Sequence, residues 1–299
     1  DGARVLHGGN VMLGYESIGI GAVTVTGANS LWSMNGALLV GRAGQGTLTV
    51  AGGGQVVTPQ GILAQLASGT GTAVVAGANS QWSMTSELYV GQSGTGALTV
   101  TGGGRAISSF GYVGFGSSAK GTATVGGTDS LWTLSNHLYV GHTGQGSLTI
   151  TDGGAVTVTN SGYSGYLGYN VGSVGSAVVS GSGSQWTMTS SFFVGHEGQA
   201  TLTVADGGRI FSATANVGTY TTSIASATIT GANTLWTMTN GIGASLNVGL
   251  MGQGTLTVAD GARVQVPVAD LNDWLCPVQG EAVGGFTLKV LLQSEGEED

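Results

Sequence analysis

Few residues in this chain could do chemistry, and those few recur at matching places. Asp152, Asp206 and Asp260 each precede a glycine, in "TDGG", "ADGG" and "ADGA". His142 and His196 each follow "VG", and Arg105, Arg209 and Arg263 each follow the glycine-rich turn that closes an "LTV" segment or its equivalent. Acids within about 10 Å of each other could hydrolyse a glycosidic bond, and clustered carboxylates could hold Ca²⁺ for a lyase. Two imidazoles could share a metal if both nitrogens came within about 2 Å of it. Whether any of these groups can act together depends on the elements that carry them.

Those elements repeat. Trp32, Trp82, Trp132, Trp186 and Trp236 lie 50, 50, 54 and 50 residues apart. Around them "LLVGRAGQGTLTVAGGG" from Leu38 returns as "LYVGQSGTGALTVTGGG", "LYVGHTGQGSLTITDGG", "FFVGHEGQATLTVADGG" and "LNVGLMGQGTLTVADGA". Each repeat of about 50 residues splits again, because "YVGQSGTGALTVTGG" from Tyr89 is echoed by "YVGFGSSAKGTATVGG" from Tyr112. The unit is therefore about 23–30 residues, and ten such units follow one another. Units of that size, built from short alternating strands broken by Gly, Asn and Ser, are coils of a β-solenoid.

In "TLTVAG", Leu48 and Val50 alternate with Thr47 and Thr49, the period of a half-buried strand. Alignment puts Val25, Val50, Val75, Val100, Val125, Ile150, Val179, Val204, Ile229 and Val258 in one inward column. An outward column beside it holds the exposed ladder Thr24, Thr49, Thr99, Thr124, Thr149, Thr203, Thr228 and Thr257, interrupted by Val74 and Val178. The fold expected is all-β, with about ten coils in five double-coil repeats and a length of roughly 48 Å at the strand spacing. Helix is excluded by dense glycine and β-branched residues. Residues 1–266 read as the solenoid, beginning mid-coil because "DGARV" at Asp1 matches "DGARV" at Asp260. Residues 267–299 leave the repeat and read as a cap or junction in which "FTLKVLL" can add a last strand.

The pattern "GANSxWxM … LYVGxxGxGxLTVxGGG" resembles the repeat associated with type V secretion (autotransporter) passengers and PEP-CTERM surface proteins. The resemblance spans about residues 10–266. It implies a right-handed parallel β-helix on, or released from, a bacterial surface, and it implies no catalytic residue. A membrane barrel and a PEP motif, which accompany such repeats, are not in this stretch.

Coil spacing decides against joint chemistry. The three aspartates sit on alternate coils, about 10 Å apart, and Asp before Gly is explained as a turn former. His142 and His196 are as far apart, and their counterparts Arg42, Gln92 and Leu250 share no chemistry. The arginines read as solvated, and no nucleophile, metal or phosphate-loop motif occurs. Neither a cofactor nor catalysis is expected. The tryptophan row (Trp32, Trp82, Trp132, Trp186, Trp236) reads first as inward packing and second as an exposed row stacking on sugar rings. Asn29, Asn79, Asp129, Gly183 and Asn233, three residues before each Trp, close the preceding corner.

Composition narrows the partners. Charged residues are 7% of the chain against roughly 25% in ordinary domains, and the net charge is −8. Nucleic acid is excluded as a partner, since it needs clustered positive charge. No apolar run is long enough for a membrane helix, and the single cysteine, Cys276, permits no internal disulfide. The expected function is a non-catalytic extracellular structural or adhesive rod, with glycans or proteins of a host surface or matrix as partners. A filament built by end-to-end coil stacking is the alternative; a carbohydrate-active or ice-binding β-helix stands behind both.

Overall fold

Short strands separated by glycine turns cannot bury a face alone, so each must stack on its equivalent in the next unit. The computed structural model describes residues 2–240, 243–267 and 287–290, and shows that stacking throughout. Every coil gives one strand to each of three parallel sheets. In the second coil these are Leu31–Met34 in sheet I, Leu38–Val40 in sheet II and Gln45–Ala51 in sheet III. The sheets hold 11, 10 and 11 strands, and each strand pairs with its equivalent in the preceding and following coils. The ten strands of sheet II count ten coils, as the repeats predict.

The coil has one more strand than its two sequence landmarks, the "VG" turn and the "LTV" strand, indicate. The tryptophan segment has an equivalent in every coil, without tryptophan in alternate ones. Along sheet I the inward column reads Trp32, Val56, Trp82, Ala106, Trp132, Val156, Trp186, Ile210, Trp236, Val264. The five tryptophans of this column are all inside, four of them with no exposure and Trp32 at 9%.

Sheet II supplies the complement. Its inward column reads Leu38, Gly61, Leu88, Gly111, Leu138, Gly165, Phe192, Ala215, Leu246. A methyl group on Gly111 would lie 2.8 Å from Trp132 Cζ2 and 2.7 Å from Leu134 Cδ2, and one on Gly61 would lie 2.6 Å from Trp82 Cζ2. Coils with Trp and Leu therefore lean into coils with Val or Ala and Gly, and the pair is the structural repeat. This is why the sequence period is two coils.

Corners tie the coils together by hydrogen bonds. Asn29, Asn79, Asp129 and Asn233 take positive φ of 63–64°, with Gly183 at 82° in the fourth corner. The next residue is a buried hydroxyl in each case. Ser80, Ser130, Ser184 and Thr234 accept at 3.0 Å from the backbone N–H of Gly53, Gly103, Gly153 and Gly207 in the preceding coil. The "(N/D/G)-(S/T)-x-W" motif thus combines a turn, a tether to the preceding coil and a core filler.

In the C-terminal segment, Thr287–Val290 extends sheet III, pairing in parallel from Thr255↔Thr287 to Val258↔Val290. The rest of the expected cap, including Cys276, Pro277 and the acidic end, lies outside the described residues.

Two substitutions test the interlock. Trp132→Ala is expected to cost about 3–5 kcal/mol, the usual range for emptying a buried aromatic site. Gly111→Ala is expected to cost about 1–3 kcal/mol by overpacking the same site from the other side. Urea unfolding followed by circular dichroism measures both, and equal stability in either variant would refute the interlock.

Candidate functional site: an aromatic lateral face

The outward column of sheet II changes character along the rod. It reads Met12, Leu39, Ile62, then Tyr89, Tyr112, Tyr139, Tyr166 and Phe193, then Asn216 and Asn247. Strand alternation turns these side chains out while Leu88, Val90, Leu138 and Val140 turn in. The five rings form a ladder, with neighbouring centroids 4.9–5.1 Å apart and planes within 3–9° of parallel.

A second column flanks the first. Phe115, His142, Tyr169 and His196 occupy the turn just after the strand and stack on one another at 4.7–5.2 Å, with planes 17–20° apart. The glycine before each makes the sharp bend. Gly141 has φ 75°, and a side chain there would meet the Val174 carbonyl oxygen of the next coil. Rings of the two columns meet edge to face, at 75–85° between Tyr112, Tyr139 or Tyr166 and their neighbours Phe115, His142, Tyr169 and His196. The result is a herringbone, parallel within columns and nearly perpendicular between them, which suits the quadrupole of aromatic rings. Phe110, His137 and Tyr163 add a third, shorter edge, with His137 and Tyr163 centroids 4.9 Å apart. These rings are all partly exposed.

The face is held uncharged near neutral pH. Burial pushes the imidazoles of His137, His142 and His196 below the usual histidine range. The backbone N–H of Ser164 donates to His137 Nδ1 at 2.9 Å, which leaves the ring proton on Nε2. Burial also raises the phenols of Tyr112, Tyr139 and Tyr166, and pushes that of Tyr89 up to about 12. Formal charge on this strip is confined to its ends, at Glu87 and Glu197. Burial disfavours the Glu87 carboxylate, but hydrogen bonds donated by Ser86 at 2.6 Å and Gln60 at 2.8 Å outweigh that and lower its pKa.

The groups singled out from sequence take other roles. The tryptophans face the core, so the exposed sugar-stacking row read as their second possibility is overturned; strand alternation places Trp on the same face as Met or Leu two residues on. His142 and His196 are separated by the ring of Tyr169 stacked between them, which removes the geometry of a shared metal. Asp152, Asp206 and Asp260 hold φ of 52–54° in turns. Asp206 and Asp260 accept from Ser180 and Thr230 of the preceding coil at 2.8 and 2.6 Å. Arg105, Arg209 and Arg263 are exposed along shallow depressions beside sheet I, with Asp129, Gln185 and Asn233 nearby.

The threonine column stacks in the register read from sequence, Thr24↔Thr49 and Thr99↔Thr124↔Thr149 among its pairs. Only Thr24 is exposed; the other members are partly buried in the stack, which corrects the picture of an open ladder.

Comparison with known proteins adds little. Residues 247–299 match a family model described as an uncharacterized protein conserved in bacteria (DUF2314). That match falls on the last coil and the C-terminal segment rather than on the repeated body, so the repeat resemblance rests on its motifs. No curated protein matches the chain. Among solved structures, a crystal structure of the TibC-catalysed, hyper-glycosylated TibA55-350 fragment is similar at 16% identity and a TM-score of 0.28, covering 87% of this chain and 99% of that one. So slight a similarity transfers neither fold nor function.

The ladder sets a pH signature. A raised phenol contributes stability that is complete below about pH 10, the unfolded value, and lost as pH rises towards about 12, where Tyr89 titrates. Depressed imidazoles contribute stability that is complete above about pH 6.5 and lost as pH falls below it. Spectrophotometric titration of tyrosinate is expected to show a late-ionising class that merges with the early one in urea. A single class in the folded protein would contradict the stacked geometry.

Proposed function

We propose that this chain is a non-catalytic structural and adhesive rod of a bacterial surface or secreted protein. The observation that carries this reading is the unbroken in-register stacking of ten coils, whose columns run the length of the molecule. Stability in such a stack comes from neighbour contacts, so what repetition adds is reach and a repeated lateral surface. The candidate acids are engaged as turn formers on separate coils, which supports a role without bond cleavage. The surface location rests on the repeat motif alone.

Small-angle scattering from the purified chain is expected to give an elongated particle of about 48 Å, ten coils at the strand spacing. Incubation with a panel of polysaccharides is expected to release no new reducing ends. A sphere-like particle would overturn the rod, and released sugar ends would overturn the non-catalytic reading. Particles several times longer that grow with concentration would transfer the proposal to a filament.

A further inference from the structure

The herringbone face asks for an explanation beyond coil stacking. Its column is filled by Met12, Leu39 and Ile62 in the first three coils and by Asn216 and Asn247 in the last two, the latter pair joined by a 2.9 Å amide hydrogen bond. The solenoid continues through all of these coils with its register intact. Aromatic rings at this position are therefore not a requirement of the fold. In sheet II they are confined to coils four to eight; in the turns the stacked column runs from Phe115 to His196, with Tyr220 of the ninth coil edge-on to His196 and Tyr15 of the first coil standing apart under Arg42.

We infer that this face is the adhesive surface of the rod, and that its ligand is an extended, uncharged, β-linked polysaccharide lying along the rod axis. The inference rests on the rod reading above and adds to it a site and a ligand class. Charge is the first argument. Neutral phenols and neutral imidazoles leave nothing in the strip to pair with a sulfate, a uronate or a phosphate, and Glu87 and Glu197 at its ends repel anions. Shape is the second. The strip is a periodic row of stacked rings, so it repeats one contact where protein interfaces depend on a few central anchoring side chains. A linear polymer whose sugar rings advance by close to one coil spacing can instead repeat the same contact at successive rungs.

Preorganisation is the third argument. Each inner ring is fixed between parallel neighbours and edge-on rings, so little side-chain freedom remains to be lost on binding. Because ring faces are shared within the columns, the surface presents ring edges and hydroxyls. The C–H faces of the sugars would pack over the strip as a whole, while sugar hydroxyls exchange hydrogen bonds with Tyr112, Tyr139 and Tyr166 and with the Nε2–H of His137.

The test is isothermal titration calorimetry of the full chain with cello-oligosaccharides and chito-oligosaccharides of increasing length, at neutral pH. Affinity for at least one series is expected to rise with each sugar and level off near the five rungs of the ladder. Tyr139→Ser is expected to weaken binding about tenfold. Since it also removes a stacking partner, Tyr139→Phe is measured beside it; that variant keeps the ring and loses only the hydroxyl, and a weaker but measurable loss is expected. Scattering on the same samples keeps the two readings separate, because a rod that binds neither series sinks this inference and leaves the rod intact. Equal affinity for carboxymethylated chains, or affinity independent of length, would also overturn it. So would a dimer in sedimentation velocity that Tyr139→Lys dissolves, since the face would then belong to a second copy of the chain.

Discussion

In-register parallel pairing between successive coils is the constraint from which the rest follows. Each backbone strand has its equivalent directly above and below, so a residue meets the same position of the neighbouring coil. A slip of one residue would turn a strand's inward side chains outward. Every column described above exists only because no strand slips. The same constraint favours a chain with little charge, because like charges at the coil spacing would repel along the ladder. Wetting is left to Ser, Thr, Asn and Gln, and charged groups such as Arg105 and Asp152 are set in places where the stacked neighbour differs.

Stacking equivalent positions creates a volume problem that one coil cannot solve alone. Ten tryptophans in consecutive coils would crowd, and ten valines would leave the interior thin. Alternation solves it, with Trp82 leaning over Gly61 and Trp132 over Gly111. The indole nitrogens show how closely each pair is fitted. Trp132 and Trp236 donate to Ser108 and Ser212 at 3.2 and 3.3 Å. Trp82 and Trp186 are left without an acceptor. Thr58, at the position serving Trp82, directs its hydroxyl to the carbonyls of Gly36 and Gln60 and makes no bond to the indole, and the position serving Trp186 is Val158, which has no acceptor. An unsatisfied buried donor costs about 1–3 kcal/mol, which the packing of the indole must outweigh.

The aromatic face is the same stacking rule applied outside the core. Flat rings at the coil spacing share faces along a column and edges between columns, and each parallel or edge-on pair adds about 0.5–1.5 kcal/mol beyond the area it buries. Coils four to eight are thereby stapled on their outer side as well as within. The neutrality of the face has the same origin, since crowding among rings raises the cost of ionising a phenol or protonating an imidazole.

Much of this was legible from residue order. Periodic Trp, "VG" and "LTV" define the coil and its doubling, and Val50 alternating with Thr49 assigns the faces of sheet III. The turn role of Asp152 and the corner role of Asn79 follow from what precedes and follows them. The aromatic ladder had a signal as well, in "LYVG", "GYVG", "LYVG", "GYLG" and "FFVG" from Leu88, Gly111, Leu138, Gly165 and Phe192. It was overshadowed by tryptophan, the larger ring with the more regular spacing. What sequence determined by itself is periodicity: which residues are equivalent and which side of a strand each takes. What only the tertiary structure decided is contact between columns. Whether Trp132 meets Gly111, or His142 stacks on Phe115 and stands edge-on to Tyr139, depends on how three sheets and their turns close around one axis, and no spacing along the chain encodes that distance.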